Sequence, residues 1–92
     1  MTAFLLTIVA ALLEAGGSGP KDTQIFEIKR AGWQVEWEGR DVRIYVLNDQ
    51  NQIMFIPANG TEPKRTSSAV PLDAGRYYLR VSGQAWKVKV VE

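Results

Sequence analysis

The sequence predicts a mainly-β protein: a small seven-stranded β-sandwich preceded by a short apolar helix. Three observations point there. Apolar and polar residues alternate over several short runs, a period of two that places one set on each face of a sheet. Turn chemistry punctuates the runs at close spacing, at Gly39-Arg40, Asn48-Asp49-Gln50-Asn51, Asn59-Gly60 and Ser82-Gly83-Gln84. No helix-period segment falls between them, which favours two packed sheets over an α/β layering.

Residues 1–15 read as the helix. Residues 3–13 are apolar except for Thr7, so the segment lacks the polar face of a surface helix. At ~1.5 Å per residue it rises about 17 Å, short of the ~30 Å of a bilayer core. Four readings stay open: a secretory signal peptide ending near Ala15, a helix buried between subunits of an assembly, a short lipid-inserted anchor, or an appended segment. The signal reading lacks a Lys or Arg ahead of the apolar run. Gly16-Gly17-Ser18-Gly19-Pro20 reads as a flexible linker. Residues 16–22 then separate the helix from a β domain at 23–92.

Within that domain, Ile25, Phe26 and Ile28 mark a first strand. Trp33, Val35 and Trp37 alternate with Gln34, Glu36 and Glu38 in a second, and Val42, Ile44 and Val46 alternate with Arg43, Tyr45 and Leu47 in a third. Residues 53–56 form a fourth. Residues 62–68 read as an exposed loop, and residues 69–72 as a short edge strand because Pro71 cannot donate to a central ladder. Tyr77, Leu79 and Val81 share one face of the next strand. Trp86, Val88 and Val90 share one face of the last, with Lys87 and Lys89 opposite. The turn at residues 82–84 would join these two as a C-terminal hairpin. No internal repeat is read along the chain.

Composition excludes several function classes. With no cysteine and no histidine, the chain offers no disulfide, no thiol nucleophile, and neither the commonest general base nor the commonest transition-metal ligand. Net charge is +1 with the cations dispersed, not the footprint of a nucleic-acid binder. No Ser-x-x-Lys spacing occurs, and Gly16-Gly17-Ser18-Gly19 lacks the ending of a phosphate loop. Asp41, Asp49 and Asp73 match no calcium-loop spacing. The expectation is no enzyme, no cofactor and no metal.

Asp73-Ala74-Gly75-Arg76-Tyr77 resembles the Asp-x-Gly-x-Tyr signature of immunoglobulin-like domains. The resemblance implies that Tyr77 forms a tyrosine corner, its hydroxyl bonding back to upstream backbone. Leu79 stands where such domains often carry a Cys, and Trp33 or Trp37 would take the place of their core Trp. An apolar N-terminal helix followed by a linker and an immunoglobulin-like sandwich also resembles the plan of archaeal and bacterial filament subunits. This helix is about half their usual length. The resemblance implies a subunit with its helix in a filament core and its β domain outward.

Candidate sites follow. Trp33, Trp37, Trp86, Tyr45 and Tyr78 suit a carbohydrate platform, or else a core with cross-strand pairs. Trp37 and Trp86 fit the core better, and Tyr45 and Tyr78, on outward faces, are the candidate ligand face. Asn59-Gly60-Thr61 is a turn and also a glycosylation sequon at Asn59. Lys64-Arg65 suits an anionic partner or plain solvation. Lys87 and Lys89 are expected to answer Glu36 and Glu38 across or near strands, or to blunt an exposed edge against aggregation.

The leading functional expectation is a structural subunit of a filament, coat or surface layer, outside the cell or on a particle surface. Phe4, Leu5, Ile8, Val9, Leu12 and Leu13 would form its assembly interface with copies of itself, or with lipid. The alternative is an exported or membrane-anchored module that binds a carbohydrate or protein, with residues 1–15 as signal or anchor.

Overall fold

The computed structural model describes residues 11–60 and 65–92. They form seven antiparallel strands: β1 (Leu13–Gly17), β2 (Lys21–Asp22), β3 (Phe26–Ile28), β4 (Trp33–Asn48), β5 (Ile53–Asn59), β6 (Arg65–Val70) and β7 (Gly75–Val91). Two of them, β4 and β7, are long enough to organise the rest. They lie side by side from Gln34↔Val91 to Asn48↔Tyr77. β1, β2 and β3 line the free edge of β7, and β5 and β6 line that of β4.

Two predicted turns are therefore not turns. Gly39-Arg40 and Ser82-Gly83-Gln84 lie inside β4 and β7, and the expected C-terminal hairpin is absent. Each glycine instead sits at a bulge. From Glu38↔Lys87 to Arg40↔Gln84 the chain takes one extra residue on β7, and from there to Arg43↔Ser82 one extra on β4. Gly39 (φ +139°) and Gly83 (φ +137°) adopt backbone that L side chains rarely reach. A Cβ on Gly39 would lie 2.8 Å from the Trp86 Cα, and one on Gly83 2.8 Å from the Arg40 carbonyl oxygen. A glycine that signals a turn locally becomes a bend once a partner strand runs alongside.

The bend folds the sheet on itself. Trp33 and Tyr77 lie at opposite ends of the β4–β7 ladder, about 45–50 Å apart in a straight ribbon at ~3.4 Å per residue. Their rings are 5.3 Å apart between centroids. The ladder thus doubles over at the bulges, and the two halves pack face to face, compatible with a β-sandwich. The enclosed core holds Trp33, Val35, Trp37, Val42, Ile44, Val46, Leu79, Val81, Trp86, Val88 and Val90, all buried. These are the inward positions that the alternation predicts. Among the described residues no charged or polar side chain is buried with them.

The chain also repeats itself, contrary to the reading from sequence. Positions 44 apart take equivalent places in β4 and β7: Trp33 and Tyr77, Val35 and Leu79, Trp37 and Val81, Val42 and Trp86, Ile44 and Val88, Val46 and Val90. All twelve are buried. Gly39 matches Gly83 in backbone angle, and Asp41 (φ +52°) matches Ala85 (φ +48°). The flanking ladders follow closely. Phe26↔Tyr77 recurs 44 positions on as Val70↔Trp33, and Ala15↔Val88 recurs as Ala58↔Ile44, with β5 one residue short of that spacing. With this frame in view, Ala15-x-Gly17-x-x-Pro20-Lys21-x-Thr23 recurs in the sequence as Ala58-x-Gly60-x-x-Pro63-Lys64-x-Thr66.

The predicted helix meets the described residues only at its end, and no helix occurs among them. Residues 13–15, expected to be helical, belong to β1. Leu13 and Ala15 face the core opposite Val90 and Val88, so an apolar run here satisfies a period of two. The predicted linker is also structured. Gly16 and Gly17 complete β1, where a Cβ on Gly17 would come within 3.3 Å of the Trp86 ring. The loop after it is clamped onto the β7 bulge. Gly19 N–H donates to the Gly83 carbonyl (2.8 Å), Ala85 N–H to Ser18 Oγ (3.0 Å), and Trp86 Nε1–H to the Gly19 carbonyl (3.0 Å). Smallness in this stretch serves packing against an indole. Residues 66–68, expected in a loop, extend β6 along β4.

Candidate functional site

β5 is the strand whose chemistry fits its position least. Among the described residues it pairs with β4 alone, and no other described strand lies along its far edge. Edge strands expose unpaired backbone groups, and proteins usually blunt them with charge. β1 carries Glu14, β2 Lys21 and Asp22, and β3 Glu27, whereas β5 has no charged residue. Ile53, Met54 and Ile56 are 56%, 44% and 49% exposed. Phe55 is partly buried against the core. The register with β4 shifts twice here, between Ile44 and Val46 and again between Val46 and Leu47, so this strand does not alternate cleanly in and out. The signal was present in the sequence. Four apolar residues in a row, Ile53-Met54-Phe55-Ile56, cannot all face one core in a strand of period two.

The positions named from sequence disperse. Phe4, Leu5, Ile8 and Val9 lie outside the described residues. Leu12 is 40% exposed, while Leu13 is buried in the chain's own core. Tyr45 is half-buried and Tyr78 buried, on the outer face of the half built by β3, β5 and the adjoining stretches of β4 and β7. The Tyr78 hydroxyl donates to Asn51 Oδ1 at 2.8 Å, tying its ring to the β4–β5 turn. Asn59 ends β5 exposed, opposite Arg43. The structure brings Tyr45 and Tyr78 onto one face, two rows apart, and leaves Leu12 and Leu13 on β1's side of the molecule.

A second surface lies on the outer face of the other half. Glu36 faces Lys89 and Glu38 faces Lys87, as the sequence predicts. Lys87 Nζ is 3.9 Å from Glu38 and Lys89 Nζ is 3.9 Å from Glu14. An open groove of about 810 Å³ runs over Glu14, Glu36, Glu38, Thr66, Lys87 and Lys89. Two of its three carboxylates pair with its two lysines and all are solvated, so it presents a zwitterionic ladder rather than an ion-binding pocket. Among the described residues no three His, Cys, Asp or Glu side chains converge as a metal site. No helix there is long and apolar enough to cross a membrane.

Two polar contacts shape the margins. The Tyr77 hydroxyl donates to the Asp73 carbonyl at 2.8 Å, the local bond expected of a tyrosine corner. Burial, and next the charge of Asp73, raise the Tyr77 pKa above its ordinary value. Arg80 holds Asp22 through two hydrogen bonds, Nε to Oδ1 (2.9 Å) and Nη2 to Oδ2 (3.2 Å), and this bonding raises the guanidinium pKa further. No protein-family model matches the chain, and no curated protein matches it.

Proposed function

We propose that the protein is a non-enzymatic structural subunit that associates with copies of itself, as in a filament, coat or surface layer. The observation that carries this reading is the uncharged β5 edge with Ile53, Met54 and Ile56 in solvent. A charged partner finds nothing there to pair with. The same strand of a second copy does, antiparallel across a two-fold axis, because such a contact is self-complementary. Pro57 has no N–H and limits that pairing to the strand's first half. The sequence around Phe4, Leu5, Ile8, Val9 and Leu12 is also apolar, and apolar groups favour association over contact with water. The Tyr77–Asp73 bond supports the immunoglobulin-like likeness at the corner itself. Strands shared between both halves set the architecture apart from sandwiches whose strands divide between two sheets. The location proposed is a cell or particle surface.

Light scattering on the full chain over a range of concentrations tests the association. Assembly that grows with concentration and is lost in Ile53→Lys/Ile56→Lys is the expected result. A full chain that stays monomeric at every concentration overturns the reading.

A further inference from the structure

The repeat divides the chain into two units joined by the turn at residues 49–52. The first holds β1 to β4 and the second β5 to β7. Every ladder among the described residues crosses between these units: β1, β2 and β3 pair with β7, β5 and β6 pair with β4, and β4 pairs with β7. Neither unit pairs a strand with itself. Several contacts outside the ladders cross as well, although the Tyr77–Asp73 bond and the Phe26–Trp33 ring contact stay within one unit. Leu12 N–H donates to the Val90 carbonyl, Trp33 Nε1–H to the Leu72 carbonyl, and the backbone N–H groups of Lys29 and Arg30 to the Glu92 carboxylate. The three ion pairs among the described residues, Arg80–Asp22, Lys87–Glu38 and Lys89–Glu14, also cross.

This is the anatomy of an intertwined two-fold dimer. In such a dimer each contact between i and j is matched by one between their equivalents. Here Val35↔Val90 is matched by Val46↔Leu79. The one covalent link between the units is the β4–β5 turn. Asn48 organises it: its Oδ1 accepts from the N–H groups of Gln50 and Gln52, and its Nδ2 donates to Gln52 Oε1. Asn51 turns it with φ +64°.

We infer that the chain is a tandem duplicate that closes on itself only through this turn, and that its units pair equally well with the units of a second copy of the chain. An exchanged dimer keeps every ladder and changes nothing but the turn, so the turn alone selects between monomer and dimer. The exchange uses interior ladders and does not rest on the β5 edge.

The test uses the full chain with residues 49–51 deleted, which leaves β4 no room to fold back into β5. Glu36→Cys and Lys89→Cys, directly opposite across the units, report the pairing in a chain with no cysteine of its own. With the turn intact, oxidation or a short thiol crosslinker joins these thiols within one chain. With the turn deleted, the expected result is a particle of twice the mass, with native-like tryptophan emission and the crosslink between chains. A folded monomer with an internal crosslink overturns the inference, and so does an unstructured chain that forms no crosslink. Asn51→Val keeps the chain length and strains the positive-φ position. It is expected to populate the same crosslinked dimer in part, and its absence at high concentration counts against the inference. Ile53→Lys/Ile56→Lys added to the deletion leaves the interchain crosslink in place, which separates exchange from edge association.

Discussion

On one outer face, Gln34, Glu36 and Glu38 of β4 lie beside Val91, Lys89 and Lys87 of β7. At the equivalent positions on the other, Tyr78, Arg80 and Ser82 lie beside Leu47, Tyr45 and Arg43. Inside, the six inward positions of β4 and their six equivalents in β7 are all buried. Outside they share almost nothing. Leu47 and Tyr78 are buried on their outer face, while their counterparts Val91 and Gln34 are half-buried and exposed. The difference teaches which part of the repeat is constrained. Inward side chains must fill a shared interior at crystal-like density, so both units keep large apolar groups there. Outward positions answer to water and partners, and each unit has gone its own way.

Several substitutions break or sharpen that comparison. The largest effect belongs to Trp33→Ala, which empties the centre where Phe26, Trp33 and Tyr77 meet. It is expected to lower unfolding free energy by about 3–5 kcal/mol in urea titration. Next come Gly39→Ala and Gly83→Ala, each forcing a Cβ into backbone at positive φ. Each should lose about 2–3 kcal/mol. Equal losses would show the two bends to be energetically as well as geometrically equivalent, and a loss at only one would break the symmetry at its hinge.

Tyr77→Phe removes the corner bond and is expected to lose about 0.5–1.5 kcal/mol. Its pH dependence is more telling. The raised pKa means that below about pH 10 the phenol is protonated both folded and unfolded, and its contribution is complete. Above that the unfolded chain ionises first, and stability falls as pH rises through the folded-state pKa. The difference between the native protein and Tyr77→Phe should therefore shrink above pH 10 and stay flat below it. Tyr78→Phe cuts the tie to Asn51, a bond that Gln34 at the equivalent position does not make. A loss of about 1 kcal/mol is expected, against less than ~0.5 kcal/mol for Gln34→Ala, its exposed counterpart. Smallest is the Glu38–Lys87 pair, whose double-mutant coupling should not exceed about 0.5 kcal/mol.

Much of the fold was legible in the sequence. Trp33, Val35 and Trp37, then Val42, Ile44 and Val46, then Trp86, Val88 and Val90 announced one buried face each, because period two is a property of the extended chain itself. Asn48 to Asn51 announced a true turn for a similarly local reason. The exposed β5 edge was half legible, since an unbroken apolar run signals a conflict but not which side chain loses. The repeat left one legible trace, Ala15-x-Gly17-x-x-Pro20-Lys21-x-Thr23 recurring at residues 58–66, and was hidden elsewhere. Its spacing slips between 43 and 44 residues, and equivalent core positions exchange Trp for Tyr or Val, conserving burial rather than identity.

By itself, then, the sequence determined a β protein with alternating inward faces, no cysteine or histidine chemistry, and a turn at residues 48–51. Tertiary structure decided the rest. Only with β7 lying along β4 do Gly39 and Gly83 become bends inside long strands, and only with Trp86 in place do Gly16 and Gly17 become a packed strand. Those choices depend on residues dozens of positions away. Among the described residues every ladder but the β4–β5 hairpin joins strands far apart in the chain, so outside that hairpin no stretch could settle its pairing alone.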